Sequence, residues 1–316
     1  MTETQKACPS RRHRVYRAGD PRVSPARLLP RSPDSLFSFR PLRCTIGSGK
    51  YPPKGLISTA IKAIFFDVDG TLVGFDTHTM PESTLFALRE LRKKGIKLFL
   101  CTGRHPGMLD DVMAAFPFDG VVAVTGQVCT LGDKVLHSNP LKQDHLEALF
   151  AAREQLHFPC ICLAQGEMFL SEETPTITHF WSHLGGEVPP VKPLSRALEL
   201  PVYQVITFLS PEEEHKLFAL APQLNHTRWC DMFLDVIPET GGKDTGMQAV
   251  MDHLGITRDE VMAFGDGEND LTMIRHAGIG VVMGSGTDYL KSQGDYVTGT
   301  PEEDGVLAAL RHFGIL

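Results

Sequence analysis

The sequence predicts a doubly wound parallel-sheet α/β core with a smaller α/β domain inserted into it. Three observations lead there. Apolar strand-like runs alternate with helical periods over residues 59–137 and again over 234–316. Between these stretches, over 138–233, the texture changes. Acids or hydroxyls also stand directly behind several of the apolar runs. Strands buried on both faces read as continuous apolar runs, and helices between them cover a parallel sheet.

In order, "IKAIFF" reads as a strand, and "PESTLFALRELRKKG" follows as a helix with Leu85, Leu88 and Leu91 at helical spacing and Gly95 to close it. "IKLFLCT" is a second strand, a helix is expected from about Pro106 to Ala115, and "GVVAVTG" is a third strand. Late in the chain "DTGMQAVMDHLG" predicts a helix ending at Gly255. "EVMAFG" is then a strand, "NDLTMIRHAG" a helix, and "GIGVVMG" and "DYVTG" are short strands. In the inserted stretch "FPCICLA", "EMFLS" and "VYQVITFL" look like strands of an antiparallel sheet, with two longer helices on one face. One of these helices is announced by Ser210-Pro211-Glu212-Glu213, an N-cap serine, a first-position proline and a capping-box glutamate.

Residues 1–58 form a separate basic extension. Within 1–55 there are 12 Lys/Arg against 3 Asp/Glu, a net +9, while the remainder carries −16. Eight prolines between Pro9 and Pro53 interrupt any helix, so disorder is expected. The extension reads as a bland tail or mis-assigned start, a transit segment, or an electrostatic arm. The acidic charge of the rest argues against a nucleic-acid role except through that arm. The seven cysteines show no Cys-x-x-Cys spacing, which points to free thiols in a reducing, cytoplasmic setting. No apolar run approaches the ~20 residues of a membrane span.

Ligands of a doubly wound sheet bind beyond the carboxyl ends of its strands. Asp67, Thr102 and Asp266 each stand just past such an end. With Asp69 and Asp270 nearby, three or four carboxylates would share one crevice, at several kcal/mol per uncompensated buried ion. A hard cation resolves that, and oxygen ligands without His or Cys favour Mg²⁺. "CTGRHPG" offers the Thr102 hydroxyl and the backbone N–H of Gly103 at an expected helix start, an anion site. Lys243, in "ETGGKDTG", brings a compact positive charge.

With these residues in this order, the chain resembles the phosphatases of the haloacid dehalogenase (HAD) superfamily. "FFDVDGTL", "CTGR", the lysine of "GGKDTGM" and "GDGENDLTM" are similar to the four motifs of that superfamily. The last two, with "GIGVVMG" and "DYVTGTPEEDGV", are close to its Cof-type branch. That branch carries a class IIB cap between the second and third motifs. The spacing agrees: 35 positions separate Asp67 from Thr102, and 139 separate Arg104 from Lys243. The resemblance implies an HAD core over 59–137 and 234–316 and a substrate-specificity cap over 138–233. It implies Asp67 as nucleophile and Asp69 as acid, then base. Mg²⁺ would be held by Asp67, the Asp69 carbonyl and Asp266, with Asp270 orienting from behind. Thr102, Gly103, Lys243 and Asn269 would hold the phosphoryl group.

A small phosphorylated metabolite is the implied substrate, sugar phosphates first, flavin mononucleotide (FMN) or pyridoxal phosphate next. A phosphomannomutase-like phosphotransferase and a non-catalytic phosphate-binding protein are the rivals on this fold. The sequence departs from the branch at Thr125-Gly126, where Asn-Gly is common, and at Gly284-Ser285-Gly286 in place of Gly-Asn-Ala. Both departures bear on substrate preference. In the cap, Glu167, His179, Trp181, His183 and Asp231 are candidate selectors.

Overall fold

The computed structural model describes residues 60–316, without 76, 185, 186 and 231 and without the side chains of 182–184, 229 and 230. The basic extension, 1–58, lies outside the described residues. The strands are β1 (Ala63–Phe66), β2 (Lys97–Cys101), β3 (Gly120–Ala123), β4 (Val128–Leu131), β5 (Lys134–Ser138), β6 (Cys160–Ala164), β7 (Glu167–Leu170), β8 (Val202–Thr207), β9 (Asn225–Cys230), β10 (Phe233–Ile237), β11 (Val261–Gly265), β12 (Ile279–Val282) and β13 (Tyr296–Val297). The helices are α1 (Glu82–Lys93), α2 (Asp110–Ala115), α3 (Gln143–Leu156), α4 (Pro175–Leu184), α5 (Pro211–Leu220), α6 (Lys243–Leu254), α7 (Leu271–His276), α8 (Asp288–Lys291) and α9 (Gly305–His312).

Eight strands form one sheet in the order β13-β12-β11-β1-β2-β3-β4-β5. The pairings from β13 to β3 are parallel, and β4 and β5 add an antiparallel edge. β1 lies at the centre and all four of its residues are buried. Its Phe65 stacks on Phe99 within one core layer, and its Phe66 stacks on Phe264 within the other. Two-sided burial of this kind stabilises by about 1.5–3 kcal/mol for each large apolar side chain. It also holds rigidly the point at which the chain leaves the sheet. α1 and α6 close as expected, at Gly95 and Gly255, each with a left-handed φ.

The second sheet has the order β7-β6-β8-β10-β9, with every pairing antiparallel. One face carries Cys160, Cys162, Val205, Leu234 and Val236 against α3 and α5. α5 has the expected capping box, with the Ser210 N–H donating to Glu213 Oε2 at 3.1 Å. Two details differ from the sequence reading. β10 belongs to this smaller sheet, so the inserted unit runs on to Ile237 rather than stopping at 233. A third helix, α4, packs on the opposite face through Ile177, Phe180 and Trp181. Cys101, Cys129, Cys160 and Cys162 are buried free thiols. No helix among the described residues is long and apolar enough to cross a membrane.

Candidate active site

Neighbouring parallel strands release their chains at one edge of the large sheet. The Asp67 N–H continues the β1–β11 ladder by donating to Phe264 O (2.9 Å), and the Thr102 N–H donates to Val122 O (2.8 Å). Asp67, Thr102 and Asp266 therefore emerge side by side. Gly70 closes the first turn at φ +79°, and a Cβ there would lie 2.2 Å from Asp266 Oδ2. The close approach of the first and last acidic loops thus requires glycine.

Carboxylate oxygens of Asp67, Asp266 and Asp270 all lie within 4.8 Å of one another. The Lys243 ammonium sits among them, fully buried, donating to Asp67 Oδ1 and Asp270 Oδ1 at 2.5 Å each. The other oxygen of Asp270 accepts from the backbone N–H groups of Asp266 (2.9 Å) and Gly267 (2.8 Å). Asp270 is thereby saturated, and Asp67 and Asp266 have oxygens to spare. Burial, then the Asp270 carboxylate, push Asp67 well above the usual carboxylate range, more than the Lys243 ammonium lowers it. The same two causes push Asp266 up to about 7. Burial pulls Lys243 down, but Asp270 and Asp67 outweigh it and hold the ammonium above its ordinary value. Three carboxylates against one ammonium leave two unbalanced negative charges in a buried place. A divalent cation with a preference for oxygen ligands fits that donor set.

A cleft open to solvent lies over this cluster. Asp67, Asp69, Thr102, Gly103, Asp266 and Asn269 line it. Lys243 and Asp270, both fully buried, are not among the residues that line the cleft. The helix expected from about Pro106 begins there as a 3₁₀ turn, Pro106–Met108, capped by His105 Nδ1, which accepts from the Gly107 N–H. Of the cap candidates, Trp181 lines the cleft. Glu167 is held by Lys192 and Arg196 away from it, and His179 is exposed elsewhere. The His183 side chain and Asp231 lie outside the described residues.

Several cleft residues escaped the sequence reading. Arg104 takes both oxygens of Asp69 in a fork, Nε to Oδ2 at 2.9 Å and a terminal nitrogen to Oδ1 at 2.5 Å. Ser285, in the departure already noted and not itself lining the cleft, has its Oγ 3.4 Å from Asp266 Oδ2. Gln204 and Asp235 reach the cleft from β8 and β10, and Phe75 from the loop after the first acidic turn. A signal existed for both: Asp235 is the one polar residue of "FLDVI", and Gln204 is an amide in the middle of the wholly buried strand "VYQVIT". Thr125, one of the departures from the family pattern, is buried at φ +54° and its Oγ1 donates to Gln204 Oε1 at 3.4 Å.

Comparison with known proteins agrees with this geometry. Residues 64–310 match the family described as haloacid dehalogenase-like hydrolase. YkrA of Bacillus subtilis (strain 168) is 30% identical over 256 residues, covering 81% of this chain and 98% of that protein. The HMP-PP phosphatase of Klebsiella pneumoniae (strain 342) is 28% identical over 243 residues, covering 73% and 87%. Among solved structures, the HAD subclass IIB sugar phosphatase BT4131 superposes with a TM-score of 0.75 at 35% identity, over 81% of this chain and all of that one. The chain belongs to the haloacid dehalogenase-like hydrolases, as a phosphatase of their Cof type.

Proposed function

We propose that this protein is a Mg²⁺-dependent phosphomonoester hydrolase that releases phosphate from a small metabolite through an aspartyl-phosphate on Asp67. One observation carries the reading. Asp67, at the centre of the sheet edge, faces the cleft with a buried ammonium behind it and Asp266 beside it. The Asp67 carboxylate attacks phosphorus in line, forming the acyl phosphate, and the bond to the leaving oxygen breaks. Asp69 gives that oxygen a proton, then takes one from the water that attacks the acyl phosphate, so both carboxyls are restored. Thr102, the Gly103 N–H and Asn269 hold the phosphoryl oxygens.

Mg²⁺ on Asp67, Asp266 and the Asp69 carbonyl would neutralise the transferring group. Asp270 and Lys243 act from behind: Asp270 fixes the loop through two backbone N–H groups, and Lys243 balances Asp67. Arg104 holds Asp69 at the rim. The inserted unit serves as the cap that selects the substrate, and the buried free thiols support a cytoplasmic setting.

The relatives' names span both sugar phosphates and heterocyclic phosphates, which supports the metabolite class without ranking it. A screen of phosphorylated metabolites with Mg²⁺, run beside Asp67→Asn, tests the reading. Turnover should need the metal and fall by at least about 10³ in the variant. Equal turnover by Asp67→Asn would end it.

A further inference from the structure

One buried group at the rim of the cleft takes no part in the proposed chemistry. His105 follows Arg104 in "CTGRHPG", and it is only 6% exposed. Resting on the proposed hydrolase and its cap, we infer that His105 is a positioning residue that pins the cap over the cleft, through a hydrogen bond from its ring to the end of β6.

Both ring nitrogens are committed, one to each side of the cleft. Nδ1 accepts from the Gly107 N–H at 3.1 Å and so caps the 3₁₀ turn of the core. A nitrogen that accepts carries no proton, so the proton of the neutral ring stands on Nε2. Nε2 then donates to Ala164 O, 2.9 Å away and 59 positions along the chain. Ala164 is the last residue of β6, in the inserted unit. The neutral ring with its proton on Nε2 therefore satisfies both partners. Burial pulls the imidazole below its ordinary pKa, more than the Ala164 bond raises it, which favours that neutral form.

Each end of this bridge is tied to the cleft. On the core side, Arg104 donates to Met108 O at 3.2 Å, across the turn that His105 caps, and forks onto Asp69 with its other nitrogens. On the cap side, β6 lies between β7 and β8, and Leu163, Met168 and Gln204 of these three strands line the cleft. The β6–β8 register shifts between Leu163 and Ala164, an irregularity of the kind that re-aims backbone groups. The acceptor is main chain within a paired strand, so it cannot rotate away as a side chain can. A second and longer bridge runs from Thr125 Oγ1 to Gln204 Oε1, at 3.4 Å. One neutral hydrogen bond shifts the balance between a seated and a lifted cap by up to about tenfold. Apparent affinity scales with the fraction of molecules already competent to bind, so the effect belongs in KM. The bond is alike in the bound ground state and the transition state, so kcat is spared.

Two amide substitutions divide the ring's work. His105→Asn keeps a short acceptor for the Gly107 N–H and cannot reach Ala164. His105→Gln sets its amide nitrogen about where Nε2 stands and keeps the donor to Ala164. The full chain is assayed with Mg²⁺ and p-nitrophenyl phosphate. His105→Asn should raise KM about five- to tenfold with kcat within about threefold, and His105→Gln should leave both within about threefold. Acrylamide quenching of tryptophan fluorescence reads the cap without turnover. Trp181, one of two tryptophans in the chain, lines the cleft and is 3% exposed. Quenching should rise about twofold in His105→Asn and stay at the wild-type value in His105→Gln. A wild-type His105→Asn beside an impaired His105→Gln would reduce His105 to the cap of its own turn and overturn the inference. Loss of kcat at unchanged KM, or no change in either variant, would overturn it too. No turnover by the wild type, with quenching still raised in His105→Asn, would overturn the proposed hydrolase and leave the pin in place.

Discussion

The two walls of the cleft are built on opposite plans. On the core wall Asp67, Asp69, Arg104 and Asp266 carry formal charge, and Thr102 and Asn269 add polar groups. On the cap wall, among the described residues, Leu163, Met168, Phe180, Trp181 and Ile206 surround Gln204 and Asp235. The core wall gains its order from charge balance: a buried ammonium among acids, two of them pushed up in pKa, and a site shaped for a divalent cation. The cap wall gains its order from packing, with aromatic edges locked against one another. Charge orders one wall and packing the other.

That difference can be broken first at Lys243. Lys243→Met leaves Asp67 and Asp270 buried without their cation, so the fold should lose about 3–5 kcal/mol and turnover should vanish. Urea unfolding measures the first, and wild-type stability in the variant would defeat the charge-balance account.

A second effect follows from the acids. Asp266 rises from an ordinary 3.8 to about 7 in the metal-free protein, and Asp67 rises too. Between those values the native state binds more protons than the unfolded chain, so stability from these groups is present at low pH and falls as pH rises. A cation that binds the ionised pair reverses the loss. The gain in melting temperature on adding excess Mg²⁺ should therefore be near zero at about pH 5 and reach about 5–10 °C at about pH 8. A gain independent of pH would place the metal elsewhere.

The smallest expected effect lies in the cap. Glu213→Ala removes the capping box of α5, on the far face of the cap sheet from the cleft. It should cost about 1 kcal/mol while leaving the Mg²⁺ response unaltered. A changed Mg²⁺ response would show that the two walls are coupled.

Most of the core wall was legible because each of its residues follows a strand whose apolar run announces it. "AIFF" locates Asp67, "LFLC" locates Thr102 and "VMAFG" locates Asp266, since a two-sided buried strand can end in only one place. The fork from Arg104 to Asp69 was not legible: nothing in a spacing of 35 residues says which way either side chain turns. Nor was the recess of Lys243, which depends on how tightly the helix start packs behind Asp67. On the cap side Glu167, the candidate with the strongest charge, is spent on Lys192 and Arg196, while the quieter Gln204 and Asp235 face the cleft.

By itself the sequence determined the core sheet, the strand-end acids, the lysine and the presence of an inserted unit. These rest on local period and on the rule that a buried strand delivers its next residue to the sheet edge. Tertiary structure alone decided which face of the cap sheet looks into the cleft, which ions pair, and that a third helix lines the opening. A period of two in a strand says that faces alternate but not which one is turned towards the site, and only packing against α3 and α5 chooses.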